Sequence, residues 1–298
     1  MKPRVLLITA ALAFCLSPFG AHADTIYVAN NYSSTVMQFT SAGAGSVFAN
    51  TAVGPHGLAF ASDGSLYVAI PNNNTITKFS STGTALGVFA TLGSSGPNGP
   101  TGLAFDTAGN LYAADANDNT IKKFTPAGVG SIFANTSLSY PTGLAFDIAG
   151  NLYAANGNGN NIVRYASTGT YLGVFAGSGG ASPVQLAFDS TGNLYVANNG
   201  GGGIVKITPG GVGSVFANPG PTPLGLAFDS AGDLYASYNT DNVIKKYSAT
   251  GTDLGVFANT GLSNPSYLAI QVPEPASGVL ILGLGGMLLL RRRRVSAL

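Results

Sequence analysis

The sequence is poor in charged side chains and lacks most of the residues that catalyse reactions in enzymes. Only 8% of its 298 residues are charged, and tryptophan is absent. It has one glutamate, Glu274, one cysteine, Cys15, and two histidines, His22 and His56. A Ser/His/Asp triad would therefore need a histidine from this pair, and no Cys/His metal spacing, phosphate loop or dinucleotide motif occurs. Covalent catalysis and cofactor chemistry have no support, and no intrachain disulfide can form.

Basic residues are concentrated at the two ends of the chain. The whole chain has a formal net charge of +1, but residues 24–271 contain seven basic residues and eleven aspartates, a net charge of −4. An acidic body has no electrostatic attraction for phosphate backbones, so nucleic acid is not an expected partner.

What the sequence does have is a repeat of about 40 residues. Residues 141–175 contain four short apolar runs separated by glycine, asparagine and aspartate, which predicts four strands joined by tight turns. A four-stranded unit cannot cover both of its faces, so copies must stack, and we predict an all-β, six-bladed β-propeller. Three landmarks recur six times: Tyr27, Tyr67, Tyr112, Tyr153, Tyr195 and Tyr235; Pro55, Pro100, Pro141, Pro183, Pro223 and Pro265; Phe48, Phe89, Phe133, Phe175, Phe216 and Phe257.

The phase of the repeat predicts how the ring closes. The chain enters at a second strand, after Asp24, and leaves on a first strand that begins at Pro265. The two terminal strands should therefore complete one blade and remove open sheet edges. A glycine also recurs at the turn between the third and fourth strands, where we expect a left-handed conformation: Gly43, Gly83, Gly128, Gly169, Gly211 and Gly251.

Residues 1–23 have the features of a secretory signal peptide. A basic start is followed by an apolar run and by a small-residue cleavage site at Ala21 and Ala23. A lipoprotein signal ending at Cys15 is less favoured, because bulky Phe14 precedes the cysteine. We expect export across the inner membrane.

Residues 272–298 differ in composition from everything before them. Val272, Pro273, Glu274 and Pro275 precede an apolar run over residues 276–290, which predicts a short transmembrane helix. Four arginines follow: Arg291, Arg292, Arg293 and Arg294. Their charge would keep that end cytoplasmic and leave the propeller outside.

This order of motif, helix and arginine cluster resembles the PEP-CTERM sorting signal. The resemblance implies recognition by an exosortase, a membrane processing enzyme of Gram-negative bacteria that make extracellular polysaccharide. The tail would then be a removable address, and the mature protein would reach the cell surface or the extracellular matrix. The alternative is a permanent single-span membrane anchor.

Residues 24–271 resemble NHL-repeat and SMP-30/gluconolactonase-like propellers, through Pro-x-Gly-Leu-Ala-Phe-Asp-x-x-Gly-Asn-Leu-Tyr followed by Ile-x-Lys-Phe. The SMP-30 resemblance implies a lactonase with a metal-binding glutamate, yet the only glutamate lies in the tail. Propeller-type streptogramin lyases use histidine, which makes His56 a candidate base, but the accompanying acidic groups are not evident. More often such a histidine packs at the edge of the central channel.

Polar side chains are expected to gather around one mouth of the central channel. They lie at the ends of second strands or at the starts of first strands: Asn30, His56, Thr101, Asp115, Thr142, Asn156 and Asn198. Such groups can hold a sugar hydroxyl or a hard cation such as Ca²⁺, with Asp115 as the candidate metal ligand. The alternative is that they only satisfy the backbone of the loops.

Aspartates and basic residues recur in pairs that should lie on the opposite face. Asp106, Asp147, Asp189 and Asp229 share a blade with Lys123, Arg164, Lys206 and Lys246, respectively. We interpret them as short-range ion pairs, with independently solvated charges as the alternative.

The sequence thus favours an exported binding or scaffold propeller that contacts extracellular polysaccharide or a surface protein. A secreted lactonase-like or lyase-like enzyme is the alternative, and self-assembly is a third.

Overall fold

The computed structural model describes residues 24–93, 96, 98–217, 220 and 222–271. The predicted signal peptide, the sorting motif and the predicted transmembrane helix lie outside these residues. Within the described part of the chain, no helix has the length and apolar character needed to cross a membrane.

The described chain folds into twenty-four strands and one short 3-10 turn at Pro71–Asn73. In chain order the strands are β1 (Thr25–Asn30), β2 (Thr35–Phe39), β3 (Gly45–Asn50), β4 (Leu58–Phe60), β5 (Leu66–Ile70), β6 (Thr75–Phe79), β7 (Ala85–Thr91), β8 (Pro100–Phe105), β9 (Leu111–Asp115), β10 (Thr120–Phe124), β11 (Gly130–Ala134), β12 (Pro141–Phe146), β13 (Leu152–Asn156), β14 (Asn161–Tyr165), β15 (Tyr171–Gly177), β16 (Pro183–Phe188), β17 (Leu194–Asn198), β18 (Ile204–Ile207), β19 (Gly213–Ala217), β20 (Pro223–Phe228), β21 (Leu234–Tyr238), β22 (Val243–Tyr247), β23 (Asp253–Ala258) and β24 (Pro265–Gln271).

These strands form six antiparallel sheets of four, which are the six predicted blades. Blade 1 has the order β24, β1, β2, β3 from the channel outward, and blades 2 to 6 follow as β4–β7, β8–β11, β12–β15, β16–β19 and β20–β23. The predicted closure is confirmed, because β24 pairs with β1 in a register that joins Thr25 to Gln271 and Val28 to Leu268.

The core lies between blades. In blades 1 to 5, one tyrosine of the second strand packs between two phenylalanines, whereas in blade 6 Tyr235 packs on Phe257 and Ile270 takes the place of the second phenylalanine. Tyr112 contacts Phe133 of its own blade and Phe146 of the next blade, both edge to face with centroids 4.9 Å apart. Such aromatic pairs add about 0.5–1.5 kcal/mol each to the free energy gained by burying their area. The recurrence of this trio explains why tyrosine and phenylalanine mark the repeat.

The ring has two different faces. The loop face carries the loops between second and third strands and the loops between blades, such as residues 31–34 and 259–264. The turn face carries the tight turns, including the third-to-fourth-strand glycines, whose φ angles lie between +81° and +88° as predicted.

Inner strands of neighbouring blades approach so closely that most need glycine at their third position. A Cβ on Gly102 would collide with the carbonyl oxygen of Thr142, and one on Gly143 would collide with that of Val184. Gln185 and Tyr267 occupy the same position in blades 5 and 1.

Candidate functional site

Three of the predicted amides hold inter-blade loops in place. Asn30 is buried; its Nδ2 donates to Gly261 O at 2.7 Å, and its Oδ1 accepts from Ser263 N at 2.7 Å. Asn156 and Asn198 make the same kind of donation to the loops before blades 4 and 5, at 2.8 and 3.0 Å. These side chains therefore fix the shape of the loop face from beneath.

Asp115 takes the equivalent position in blade 3 and holds the preceding inter-blade loop through Lys122. Its fully buried carboxylate lies 2.8 Å from Lys122 Nζ, which also lies 3.6 Å from Asp118 and donates to Leu92 O in the preceding loop. A metal ion at Asp115 would compete with this ammonium group. Among the residues that the structure describes, no three His, Cys, Asp or Glu side chains are grouped as a metal site.

Thr101 and Thr142 join each blade to the next. Thr101 Oγ1 donates to Pro141 O at 3.1 Å, and Thr142 Oγ1 donates to Pro183 O at 2.8 Å. Both hydroxyls are buried between inner strands. Their role in the described contacts is therefore to connect blades.

Gln185 crosses the channel where four other blades have glycine. Its Nε2 donates to Leu268 O at 2.8 Å, while its Oε1 accepts from Leu226 N at 3.1 Å and from Leu268 N at 3.0 Å. One side chain of blade 5 thereby binds the inner strands of blades 6 and 1.

His56 and Tyr267 lie side by side at the channel, with ring centroids 6.3 Å apart. Desolvation lowers the pKa of His56 to about 4 and raises the pKa of the buried Tyr267 hydroxyl. That hydroxyl has no hydrogen-bond partner among the described residues. Both groups are neutral at pH 7, so they suit hydrogen bonds to neutral hydroxyl or carbonyl groups better than contacts with ions.

The turn face carries three of the four predicted ion pairs, and the direct pair predicted between Asp147 and Arg164 is replaced by contacts through a tyrosine. Asp and Lys side chains meet within blades 3, 5 and 6: Asp106 with Lys123 at 3.7 Å, Asp189 with Lys206 at 3.8 Å and Asp229 with Lys246 at 3.2 Å. In blade 4, Arg164 and Asp147 both contact the Tyr153 hydroxyl, at 3.5 and 3.4 Å.

A pair in blade 2 was missed by the sequence analysis. Asp63 lies 3.5 Å from Lys78. In blade 2 this aspartate lies two residues further along the turn than the aspartates of blades 3 to 6. Comparing only the first position of each turn therefore does not find it.

Open grooves separate the blades on the turn face. The groove between blades 5 and 6 has a volume of about 380 Å³ and is lined by Tyr195, Lys206 and Phe228 among others. Lys206 Nζ lies 5.4 Å from the Tyr195 ring centroid and close to Asp189, so its charge is already compensated. The groove therefore offers little net charge to a ligand.

Comparison with protein families gives two matches. Residues 44–256 match the model of the virginiamycin B lyase family. The chain belongs to this family. A second match, to the PEP-CTERM protein-sorting motif, covers residues 271–294 and confirms the sorting signal. That signal implies export, cell-surface association and processing by exosortase-type machinery.

Solved structures similar to this family member show the same fold. A chain of the nidogen/laminin complex has 19% identity and a TM-score of 0.73, covering 83% of this chain and 98% of that chain. A catalytically inactive histidine-to-alanine variant of virginiamycin B lyase from Staphylococcus aureus, with quinupristin, has 20% identity and a TM-score of 0.59, covering 72% and 73%. A gluconolactonase from Xanthomonas campestris has 18% identity and a TM-score of 0.61, covering 73% and 84%. No curated protein sequence matches.

Sequence reasoning missed Tyr267, Gln185 and Lys122 as residues that shape this site. For two of them a signal was present, because Gln185 and Tyr267 depart from the glycine found at the same position of the other inner strands. Lys122 carried no such signal.

Proposed function

We propose that this family member is a cell-surface binding protein, sorted by an exosortase-type enzyme, that presents its loop face to extracellular polysaccharide or a surface protein. The observation that carries the proposal is where the described chain ends. Inner strand β24 ends at Gln271, on the turn face, where the sorting motif begins. A tail held at the membrane would leave the loop face directed outward.

The contacts of the loop face support binding rather than chemistry. Its buried amides and hydroxyls hold loops and blades, and its buried carboxylate is paired with Lys122. His56, which is half-buried at the channel, is uncharged at pH 7 and suited to the hydroxyl groups of a neutral sugar. A rigid ring that positions loops is a common basis for recognition.

Cell-surface labelling tests the sorting step. We expect the full chain, produced in its natural host, to be accessible to antibody on intact cells. Replacing Arg291, Arg292, Arg293 and Arg294 with alanine should reduce that labelling at least fivefold. Deleting residues 295–298 is the matched control, because it changes four residues of the same tail without removing charge. Equal labelling of all three chains would contradict the proposal.

Affinity electrophoresis tests the binding step. The probe is extracellular polysaccharide purified from the host, with the protein comprising residues 24–271. His56→Ala removes the half-buried imidazole at the channel and should weaken retardation about threefold to tenfold, the effect of one hydrogen bond. Ile148→Ala, on the turn face, should leave retardation unchanged. Retardation that is unaffected by His56→Ala would exclude His56 and the channel around it as the binding site.

A lyase is the second candidate, favoured by the family match and by His56 at the channel. Its imidazole is neutral at pH 7, but a pKa of about 4 makes it a weak base. Incubation with quinupristin, with and without added divalent cations, tests this function. Turnover that is lost in His56→Ala would establish a lyase in place of a binding protein.

A further inference from the structure

The exposed apolar surface of this protein is concentrated on the outermost strands. All but two of the large apolar side chains that the described residues expose lie in these strands or directly before them. One β-branched residue stands at the same place in every blade, with 52% to 65% of its surface exposed: Val47, Val88, Ile132, Val174, Val215 and Val256. We call the outer strands β3, β7, β11, β15, β19 and β23 the rim.

A second apolar side chain accompanies it in five of the six blades. Leu86, Leu172 and Leu254 lie two residues earlier in blades 2, 4 and 6, and Val129 and Val212 lie just before the rim strands of blades 3 and 5. Scattered exposed apolar residues are ordinary, but a set repeated around the whole circumference marks an interaction surface.

The rim has few of the charges and prolines that usually protect sheet edges, although a register shift interrupts its pairing with the third strand in every blade. Each rim strand is the last strand of its sheet among the described residues. The rim strands contain no proline and one charged residue, Asp253, which pairs with Lys245 at 3.1 Å. Natural proteins usually place charges or prolines on such edges to prevent pairing with other chains. Edges that carry β-branched side chains and almost no charge are suited to the addition of another strand.

The attachment of the tail favours a second copy of this chain as the partner. Gln271 ends an inner strand near the ring axis, and its side chain lies beside Gly64 of a turn-face turn. The orientation of each copy rests on the proposed function: if the tail is held at a surface, the turn face lies toward that surface and the rim lies at one height in every copy. Neighbouring copies then meet rim to rim.

We propose that the rim is a lateral self-association surface, in which a rim strand of one copy pairs antiparallel with a rim strand of a second copy. Two identical edges complement each other in this arrangement. Paired strands of five to seven residues bury less than the roughly 1,200 Å² of a stable interface, so each contact is weak. Several contacts per ring, made within one plane, supply the avidity.

Site-specific cross-linking in the native host tests the proposal. Cys15 is the only cysteine, so Cys15→Ser provides a thiol-free full chain. Val215→Cys then places one thiol on the rim, and Ile148→Cys places one on the turn face at a more exposed apolar residue, which favours random collision in the control. Treatment of intact cells with a short bismaleimide should give covalent dimers from the rim variant at least fivefold above those from the control.

A second variant separates pairing from random collision. Adding Val212→Lys beside the thiol, with Val174→Lys and Val256→Lys on the two neighbouring blades, to the Val215→Cys chain should abolish the dimers, while circular dichroism of the purified protein shows an intact fold. Equal dimer yields from rim and turn-face thiols, or dimers that persist with the three lysines, would overturn the proposal. So would binding of the purified ring, residues 24–271, to phosphatidylcholine vesicles that the three lysines abolish, because the rim would then contact lipid.

Discussion

His56 is the residue whose ionisation reports most directly on the channel. It is the only histidine in residues 24–271, and burial lowers its pKa from 6.5 to about 4. The unfolded chain therefore binds a proton between pH 6.5 and 4 that the folded ring does not. The neutral, buried imidazole therefore contributes to the free energy of unfolding fully above pH 6.5, and this contribution is lost as the pH falls through 4.

We predict that His56→Gln reduces the dependence of the free energy of unfolding on pH between pH 6.5 and 4. Between pH 6.5 and 4 the wild-type ring should lose roughly 2 kcal/mol more free energy of unfolding than the variant. Urea unfolding of residues 24–271 at intervals of half a pH unit measures both curves. Because the aspartates are common to both proteins, parallel curves would show that the imidazole is not desolvated in the folded ring.

The turns between first and second strands show how a repeated element varies among blades. Asp229 is nearly buried and lies near Lys246, which is also 2.9 Å from Asp233. Desolvation opposes the charge of Lys246, but its hydrogen bonds to Asp233, Tyr235 and Asp229 outweigh it and raise its pKa. In blade 4 the aspartate and the arginine meet only through the Tyr153 hydroxyl. The same turn should therefore stabilise the blades unequally.

Double-mutant cycles measure this inequality. We expect a coupling of about 1–2 kcal/mol between Asp229→Asn and Lys246→Met, since the carboxylate is shielded from water. The coupling between Asp147→Asn and Arg164→Met should be below about 0.5 kcal/mol. Each pair serves as the other's control, because both occupy the same positions of the repeat. Equal couplings would mean that burial does not determine the strength of these pairs.

At the scale of the whole molecule, the repeat made the ring predictable. Six blades, the two faces and closure by strands from opposite termini follow from the spacing of tyrosine, proline and glycine, because each landmark has one structural task. Support of the loop backbone was one of two roles that the sequence left open for Asn30 and Asn156, but the atoms that they bind could not be predicted. Their partners belong to the loop from a neighbouring blade, whose path depends on packing across the ring. The location of the Tyr267 side chain could not be predicted either, because the replacement of glycine at this position does not show which residues the larger side chain contacts.

Closure itself can be tested by shortening the chain. A protein ending at Asn264 lacks β24, which leaves β1 without its inner partner and exposes Ile26 and Val28 at the gap between blades 6 and 2. We expect its thermal midpoint to fall by more than 10 °C, or cooperative unfolding to disappear, relative to a protein ending at Gln271. This fall in thermal midpoint should exceed that caused by deleting any other seven residues of comparable burial. Deleting β24 opens the ring as well as removing contacts.

A milder variant keeps this test informative if the shortened protein does not fold. Leu268 is 1% exposed, faces the core between blades 6 and 1, and pairs with Val28. Leu268→Ala should cost about 2–5 kcal/mol, as expected for a cavity in a tightly packed site. Leu254→Ala, an exposed leucine on the rim, should cost less than about 0.5 kcal/mol. If urea unfolding gave both variants the same loss, β24 would not be part of the closed ring in solution.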